Sequence, residues 1–313
     1  MRKLTHGIDP AFSPSGRQVA FTRWEEPSKF SLWKINLDGH GETHIFGNTK
    51  QAKSPTWSPD ESKIAINFQH GGTLKYTKEC DPLESEWSLN PWLVDLRDED
   101  ALEFVPDINE ETGELEGIDV CWKNPPDAHW KLRVIDITSQ THEDVNIGNY
   151  IFRPDWNPIN PNQIISSGGI GLVIAEFQDA GKQVALPLTT DAGDRSPSYS
   201  PDGRYIVLNY HQRPNWDIHR LNADGTGRVR LTKTPLYVTA VEKKPLWNNV
   251  SPVFSPDGSQ IAFLTDRNER WEIWVMGMDG SNQRQMFPDS INDQLPILYN
   301  MVDERVFDWT YIF

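Results

Sequence analysis

The sequence predicts an all-β protein folded as a single β-propeller. Three observations predict it. A Ser-Pro-x-aromatic-Ser-Pro-Asp-Gly signature recurs along the chain, its copies lie about one four-stranded blade apart, and no stretch shows a capped helical apolar period. The 313 residues include 13 Trp, 13 Phe and 8 Tyr, and 37% are hydrophobic, which is ample for a core and excludes a disordered chain.

The repeat is plainest in the second half. Ser196-Pro-Ser-Tyr-Ser-Pro-Asp-Gly203 returns as Ser251-Pro-Val-Phe-Ser-Pro-Asp-Gly258, and residues 196–232 and 251–287 align without a gap at eleven identical positions. The signature also opens the chain at Asp9–Gly16 and recurs at Ser54–Asp60, with a weaker copy at Arg153–Pro158 and a much weaker one at Glu103–Asp107. The anchoring aromatics are then Phe12, Trp57, Phe104, Trp156, Tyr199 and Phe254, with Trp309 as a candidate seventh. Without Phe104 the step from Trp57 to Trp156 would be 99 residues, about two units, so the weak copy is counted.

Each unit reads as four short strands. The first ends at the aromatic and Ser-Pro, where Pro stops the ladder and Asp-Gly permits a tight reversal. The second is an apolar run such as Gln260–Leu264, the third ends in another Asp-Gly, as in Trp271–Gly280, and the fourth closes the unit, as in Arg228–Thr232. Six starts predict six blades, while residues 289–313 with the N-terminal strand offer a seventh. Residues 1–5 and 306–313 read as strands without a unit of their own, so their pairing is expected to close the ring. Residues 1–313 are expected to form one domain with an acidic, irregular insertion at about 70–119. The stretch 84–119 alone holds thirteen carboxylates against Arg97.

At these residues the chain resembles TolB-like β-propellers, with related repeats in the propeller domains of prolyl-oligopeptidase-type peptidases and in oligogalacturonate lyases. The likeness covers nearly the whole chain, strongly at 9–68 and 196–287, and it specifies a fold far better than a function. It implies a bare propeller, without the extra N-terminal domain of TolB, that binds a protein partner. The peptidases need a hydrolase domain for which the chain has no room.

Composition narrows the function further. A net charge of −15 argues against nucleic-acid or anionic-membrane binding, and no apolar run is long enough to span a bilayer. Residues 1–7 lack an apolar core like that of a secretory signal, which makes the cytoplasm the default location. An upstream signal removed from the chain would make it periplasmic or secreted, and kinship with TolB pulls toward the periplasm. Cys80 and Cys121 permit one disulfide at most and read as two free thiols in a reducing compartment.

The Asp-Gly carboxylates at 38, 60, 202, 224, 257 and 279 read as turn chemistry, because Asp bonds its own backbone there. In a propeller the loops between second and third strands share one face of the ring with the loops between blades. That face would carry Arg23, Trp24, His129, Trp130, Arg153, Arg195, His211, Arg213, Trp216, Arg267 and Trp271. Arg, Trp and His enrich interface hot spots and stack on peptide groups or sugars, so this is the expected binding face. The competing account of each residue is structural: Asp266-Arg267 as a turn pair, the tryptophans packed between blades.

No catalytic, metal-binding or cofactor-binding constellation stands out. The expected function is therefore a non-catalytic protein- or peptide-binding scaffold, free-standing or within a larger assembly. The alternative is a metal-dependent carbohydrate lyase like the oligogalacturonate lyases, which needs histidines converging on a metal and a base beside a carboxylate. Of the eight histidines, only His6, His70, His129 and His211 fall near the right face.

Overall fold

Each blade begins with the same local conflict. Each first strand carries a proline with no N–H to donate, so the ladder slips there, at the residue just before it. In the computed structural model, which describes residues 3–26, 29–73, 75, 77–82, 102–124, 127–178, 181–212, 215–234, 246–295, 297–299 and 305–311, that residue turns left-handed five times: Asp9, Ser54, Arg153, Ser196 and Ser251 have φ between 44° and 53°. The register slips at the same place in all five first strands. Such a conformation costs about 1 kcal/mol or more in a residue with a Cβ. Here it makes a bulge that buries the side chain.

Five four-stranded antiparallel sheets result among the described residues. Blade one is β1 (Ile8–Phe12), β2 (Gln18–Glu26), β3 (Lys29–Asn36) and β4 (Thr43–Lys50). Blade two starts with β5 (Lys53–Trp57) and β6 (Lys63–Thr73). The chain then leaves it for β7 (Thr77–Pro82), β8 (Leu102–Ile108) and β9 (Leu115–Asn124), and returns to finish it with β10 (Asp127–Asp136) and β11 (His142–Val145). Blade three is β12 (Phe152–Trp156), β13 (Gln163–Gly168), β14 (Gly171–Phe177) and β15 (Gln183–Pro187). Blade four is β16 (Asp194–Tyr199), β17 (Tyr205–Gln212), β18 (Asn215–Asn222) and β19 (Val229–Arg230). Blade five is β20 (Asn249–Phe254), β21 (Gln260–Thr265), β22 (Glu272–Gly277) and β23 (Arg284–Gln285), followed by one helical turn, α1 (Asp289–Asn292).

The expectation of six or seven blades is corrected to five. Phe104 does not start a blade: it lies on β8, within the three-stranded sheet β7-β9-β8. The 99-residue step from Trp57 to Trp156 is one blade interrupted between its second and third strands. Spacing alone cannot tell an inserted sheet from a blade of similar length. Among the described residues no strand pairing joins the two ends: residues 3–7 and 305–311 carry no strand. Instead Asp308 accepts the Phe12 N–H at 2.8 Å, and Arg305 reaches Asp155 at 3.1 Å.

Two compact units divide the chain, Met1–His70 with Trp130–Phe313, and Gly71–His129. The described part of the second is a regular sheet rather than irregular. In it Cys80 and Cys121 sit directly opposite one another on β7 and β9 and form a disulfide, which corrects the reading of free thiols. Cross-strand opposition brings the two Cβ atoms within bonding reach, a proximity that two isolated cysteines in a sequence do not reveal. Of the thirteen carboxylates, those at 84, 86, 95 and 98–100 lie outside the described residues, as does Arg97.

In the first unit the core is a series of layers between blades. Trp57, Ile64 and Ile135 of blade two pack on Phe30 and Leu32 of blade one. Phe254, Ile261 and Phe263 of blade five pack on Val207 and Ile218 of blade four. The turn carboxylates close the hairpins beneath. Asp257 accepts from the Ser255 hydroxyl at 2.6 Å and the Ser259 N–H at 3.0 Å, and Asp202 repeats the arrangement with Ser200 and Arg204. These hydrogen bonds hold both carboxyls below the usual range. The glycine after the Asp is required at Gly280: its φ is 84°, and a Cβ there would stand 2.6 Å from the Leu231 carbonyl of the neighbouring blade.

Candidate functional site

The pairing of Asp194 with Tyr210 and of Tyr210 with Asp217 puts the start of a first strand beside the loop between strands two and three. The between-blade loops and the strand 2–3 loops of the first unit therefore share one face. The structure brings most of the expected residues to it, and it ties most of them down.

Arg267 is the clearest case. Its guanidinium lies 4.0 Å from the Trp274 ring centroid and 5.3 Å from that of Trp247, and it donates to Asn249, Thr265 and Gln283. Burial pulls its pKa down to about 10 against the opposing charges of Glu272 and Asp266. Beside it a cavity of about 380 Å³ is lined by Trp247, Arg270 and Trp271. Arg270 is committed as well, to Glu272 at 2.7 Å, Asp289 at 3.2 Å and Asp293. Burial opposes ionisation of Glu272, but hydrogen bonds from Arg270, Trp274, Gln285 and Asn268 outweigh it and hold the carboxyl below its ordinary value. Trp271 packs edge-on to Tyr299 at 5.0 Å.

Arg23 bonds the His6 carbonyl, Thr5 and Glu42 and lies over the Trp33 ring at 4.6 Å. Arg195 donates to the Gly168 carbonyl at 2.5 Å. Arg153 is not on the rim at all. It is fully buried and spans from blade three to Ser251 of blade five at 3.0 Å, because the left-handed bulge turns its side chain inward. Trp130 is buried against Phe152, with the Lys53 ammonium 5.9 Å from its ring. His211 stacks on Trp216 at 4.4 Å. His129, beside Asp127, belongs to the second unit, and Arg213 lies outside the described residues.

Among polar residues, this face also exposes large apolar side chains. Trp24 is 66% exposed at the end of β2 and Ile170 is 68% exposed at the tip of the β13–β14 hairpin. Tyr150, also exposed, lies beside Gly169 of that hairpin. Sequence reasoning named Trp24 but passed over Tyr150 and Ile170. The signal for Ile170 was present: in Gly168-Gly-Ile-Gly171 the tight turn leaves its one large side chain nowhere to go but outward.

Among the described residues no three His, Cys, Asp or Glu side chains converge as a metal set would. The histidines are scattered, and the buried His219 is engaged by Tyr210 and Arg228. Burial and the neighbouring Arg228 charge depress its pKa to about 4, leaving it a weak base. The described residues therefore do not fit the metal of the lyase alternative.

No family model matches the chain. Over 129 residues it is 31% identical to the Tol-Pal system protein TolB of Anaeromyxobacter dehalogenans strain 2CP-C, a match covering 40% of this chain and 26% of that relative. The Tol-Pal system protein TolB of Thioalkalivibrio sulfidiphilus is 30% identical over 81 residues, 26% of this chain and 19% of that protein. The chain thus spans about a quarter or less of the length of these relatives. Among solved structures, TolB from Acinetobacter baumannii superposes with a TM-score of 0.56 at 15% identity, over 88% of this chain and 53% of that one. An oligogalacturonate lyase in complex with manganese gives 0.52 at 12% identity, over 90% and 66%. At such identities these structures share the fold and carry no statement about chemistry.

Proposed function

The chain is a TolB-like β-propeller, and from that premise we propose that it is a non-catalytic scaffold that binds a protein or peptide through the face of the strand 2–3 and between-blade loops. One observation carries the reading. On that face Arg195 and Arg267 are held by internal hydrogen bonds, while the large apolar side chains Trp24, Tyr150 and Ile170 stand exposed among polar ones. Burying exposed aromatic and aliphatic tips drives protein association and needs no reacting group.

Affinity capture tests it, with wild-type protein run beside a Trp24→Glu/Ile170→Glu variant shown by circular dichroism to be folded. A protein retained by the wild type and lost by the variant supports the reading; identical capture by both removes this face. Arg267→Glu is unsuited to the test, since it would tear the Trp274–Trp247 sandwich.

The cytoplasmic default is withdrawn. A cross-strand disulfide persists in oxidising compartments, and the relatives are named for the Tol-Pal system, so we place the protein outside the reducing cytosol. Thiol labelling of freshly isolated protein, with and without reductant, checks this: label should enter Cys80 and Cys121 only after reduction.

A further inference from the structure

Between consecutive blades each apolar layer takes side chains from two sheets. The outer flank of blade one differs. Val19, Phe21 and Ile35 form a layer with Leu4 and Leu37 but with no second sheet. A cavity of about 710 Å³ opens there, walled on its other side by Ile297, Leu298 and Val306.

The segment beside that cavity occupies a blade's innermost position. Tyr199 of blade four donates its N–H to Asp155 of blade three at 2.7 Å, and Trp156 of blade three donates to Thr56 of blade two at 3.1 Å. In both, the acceptor immediately precedes an anchoring aromatic. Phe12 of blade one donates in the same way to Asp308, which precedes Trp309. Residues 306–309 thus stand where a first strand stands, yet no strand of the described residues pairs with them.

We propose that this cleft receives an extended strand from a partner polypeptide, patterned like the second strand of the protein's own blades. The repeats specify its chemistry. In Lys63-Ile-Ala-Ile-Asn, Tyr205-Ile-Val-Leu-Asn and Gln260-Ile-Ala-Phe-Leu the second residue packs on the preceding blade and the third on the following one. A strand in the cleft would meet Ile297, Leu298 and Val306, which cover the outer side of blade five, on one side and Val19 and Phe21 on the other. It must therefore be apolar on both faces and carry a small residue third, and its backbone would pair with 306–309. This site is separate from the loop face proposed above and does not depend on it.

The probe is a fluorescent peptide Gln-Ile-Ala-Phe-Leu-Thr with lysine tails, titrated with the protein and followed by anisotropy. Saturable binding is expected, weakened about tenfold by Ile8→Glu or Leu298→Glu and abolished when the peptide's Ile and Phe become Ser. Both substituted residues line the cavity and are exposed, Leu298 at 78%, so the fold should survive. On wild-type protein, hydrogen exchange should show new protection at 306–309 on adding peptide. Absence of saturable binding, binding indifferent to both variants, or unchanged exchange at 306–309 overturns the proposal. So does a wild-type dimer by light scattering that Leu298→Glu dissociates, since a second copy would then be the occupant. The Trp24→Glu/Ile170→Glu variant should bind the peptide like wild type, which separates failure here from failure of the loop-face reading.

Discussion

The layer between blades four and five and the layer on the outer flank of blade one are built from equivalent strand positions, yet they finish differently. Between blades four and five, Phe263, Ile261 and Phe254 meet Val207, Ile218 and Leu231, all buried against a second sheet. On blade one, Val19 and Phe21 occupy the corresponding second-strand positions but look onto a cavity and onto the irregular residues 3–7. The comparison teaches that the repeat builds each blade to need two neighbours. Where the signature fades, the same apolar stripe is left with half a layer.

The largest effect should come from the complete layer. Phe263→Ala should cost about 3–5 kcal/mol, since no neighbour can collapse into the space. Phe21→Ala should cost about half that, because its layer already borders a cavity. Urea unfolding of both variants decides it, and equal costs would mean that the flank is as tightly packed as the interior.

Next is the disulfide. Cys80→Ser/Cys121→Ser removes a bridge closing a 41-residue separation, worth about 3–4 kcal/mol in chain entropy. The loss should fall on residues 71–129, as early proteolysis there with the thermal transition of the blades unmoved. A lowered blade transition would show that the inserted sheet supports the ring.

Acid should then act on blade four. Burial, followed by the Arg228 charge, depresses His219 to about 4, so the unfolded chain takes up the proton first as pH falls. The group's full contribution is present above about pH 6.5 and is lost between there and about pH 4, a loss of about 1–3 kcal/mol. His219→Phe should flatten that part of the stability profile; an unchanged slope would assign it to other groups.

The smallest effect belongs to the turns shared by ordinary and interrupted blades. Asp257→Ala and Asp60→Ala each remove an exposed turn cap and should cost about 0.5–1 kcal/mol, alike in blades five and two. Unequal costs would show that the insertion in blade two loads its other hairpin.

Blade architecture was legible because it is written in short-range chemistry. Pro ends the first strand, Asp-Gly turns the chain, and apolar runs fill the second strand, all within about ten residues of one another. The count was not legible. Phe104 and Trp309 both look like weak anchors, and only the partner of the Phe12 N–H, Asp308, separates them. Topology put Arg23, Arg195 and Arg267 on the loop face without revealing their roles, and it misplaced Arg153. Arg153 became an internal strut and Arg267 a buried stack because residues far away in sequence, Ser251 for one and Trp247 for the other, were brought against them.

By itself, then, the sequence determined the all-β repeat, the turn carboxylates and the face on which the loops gather, because strand period and turn geometry act between near neighbours. Only the tertiary structure decided that the long middle step is one interrupted blade, that Cys80 meets Cys121, and that Ile170 rather than Arg267 faces solvent. Each of these depends on which distant segments share a layer, and no local pattern encodes that.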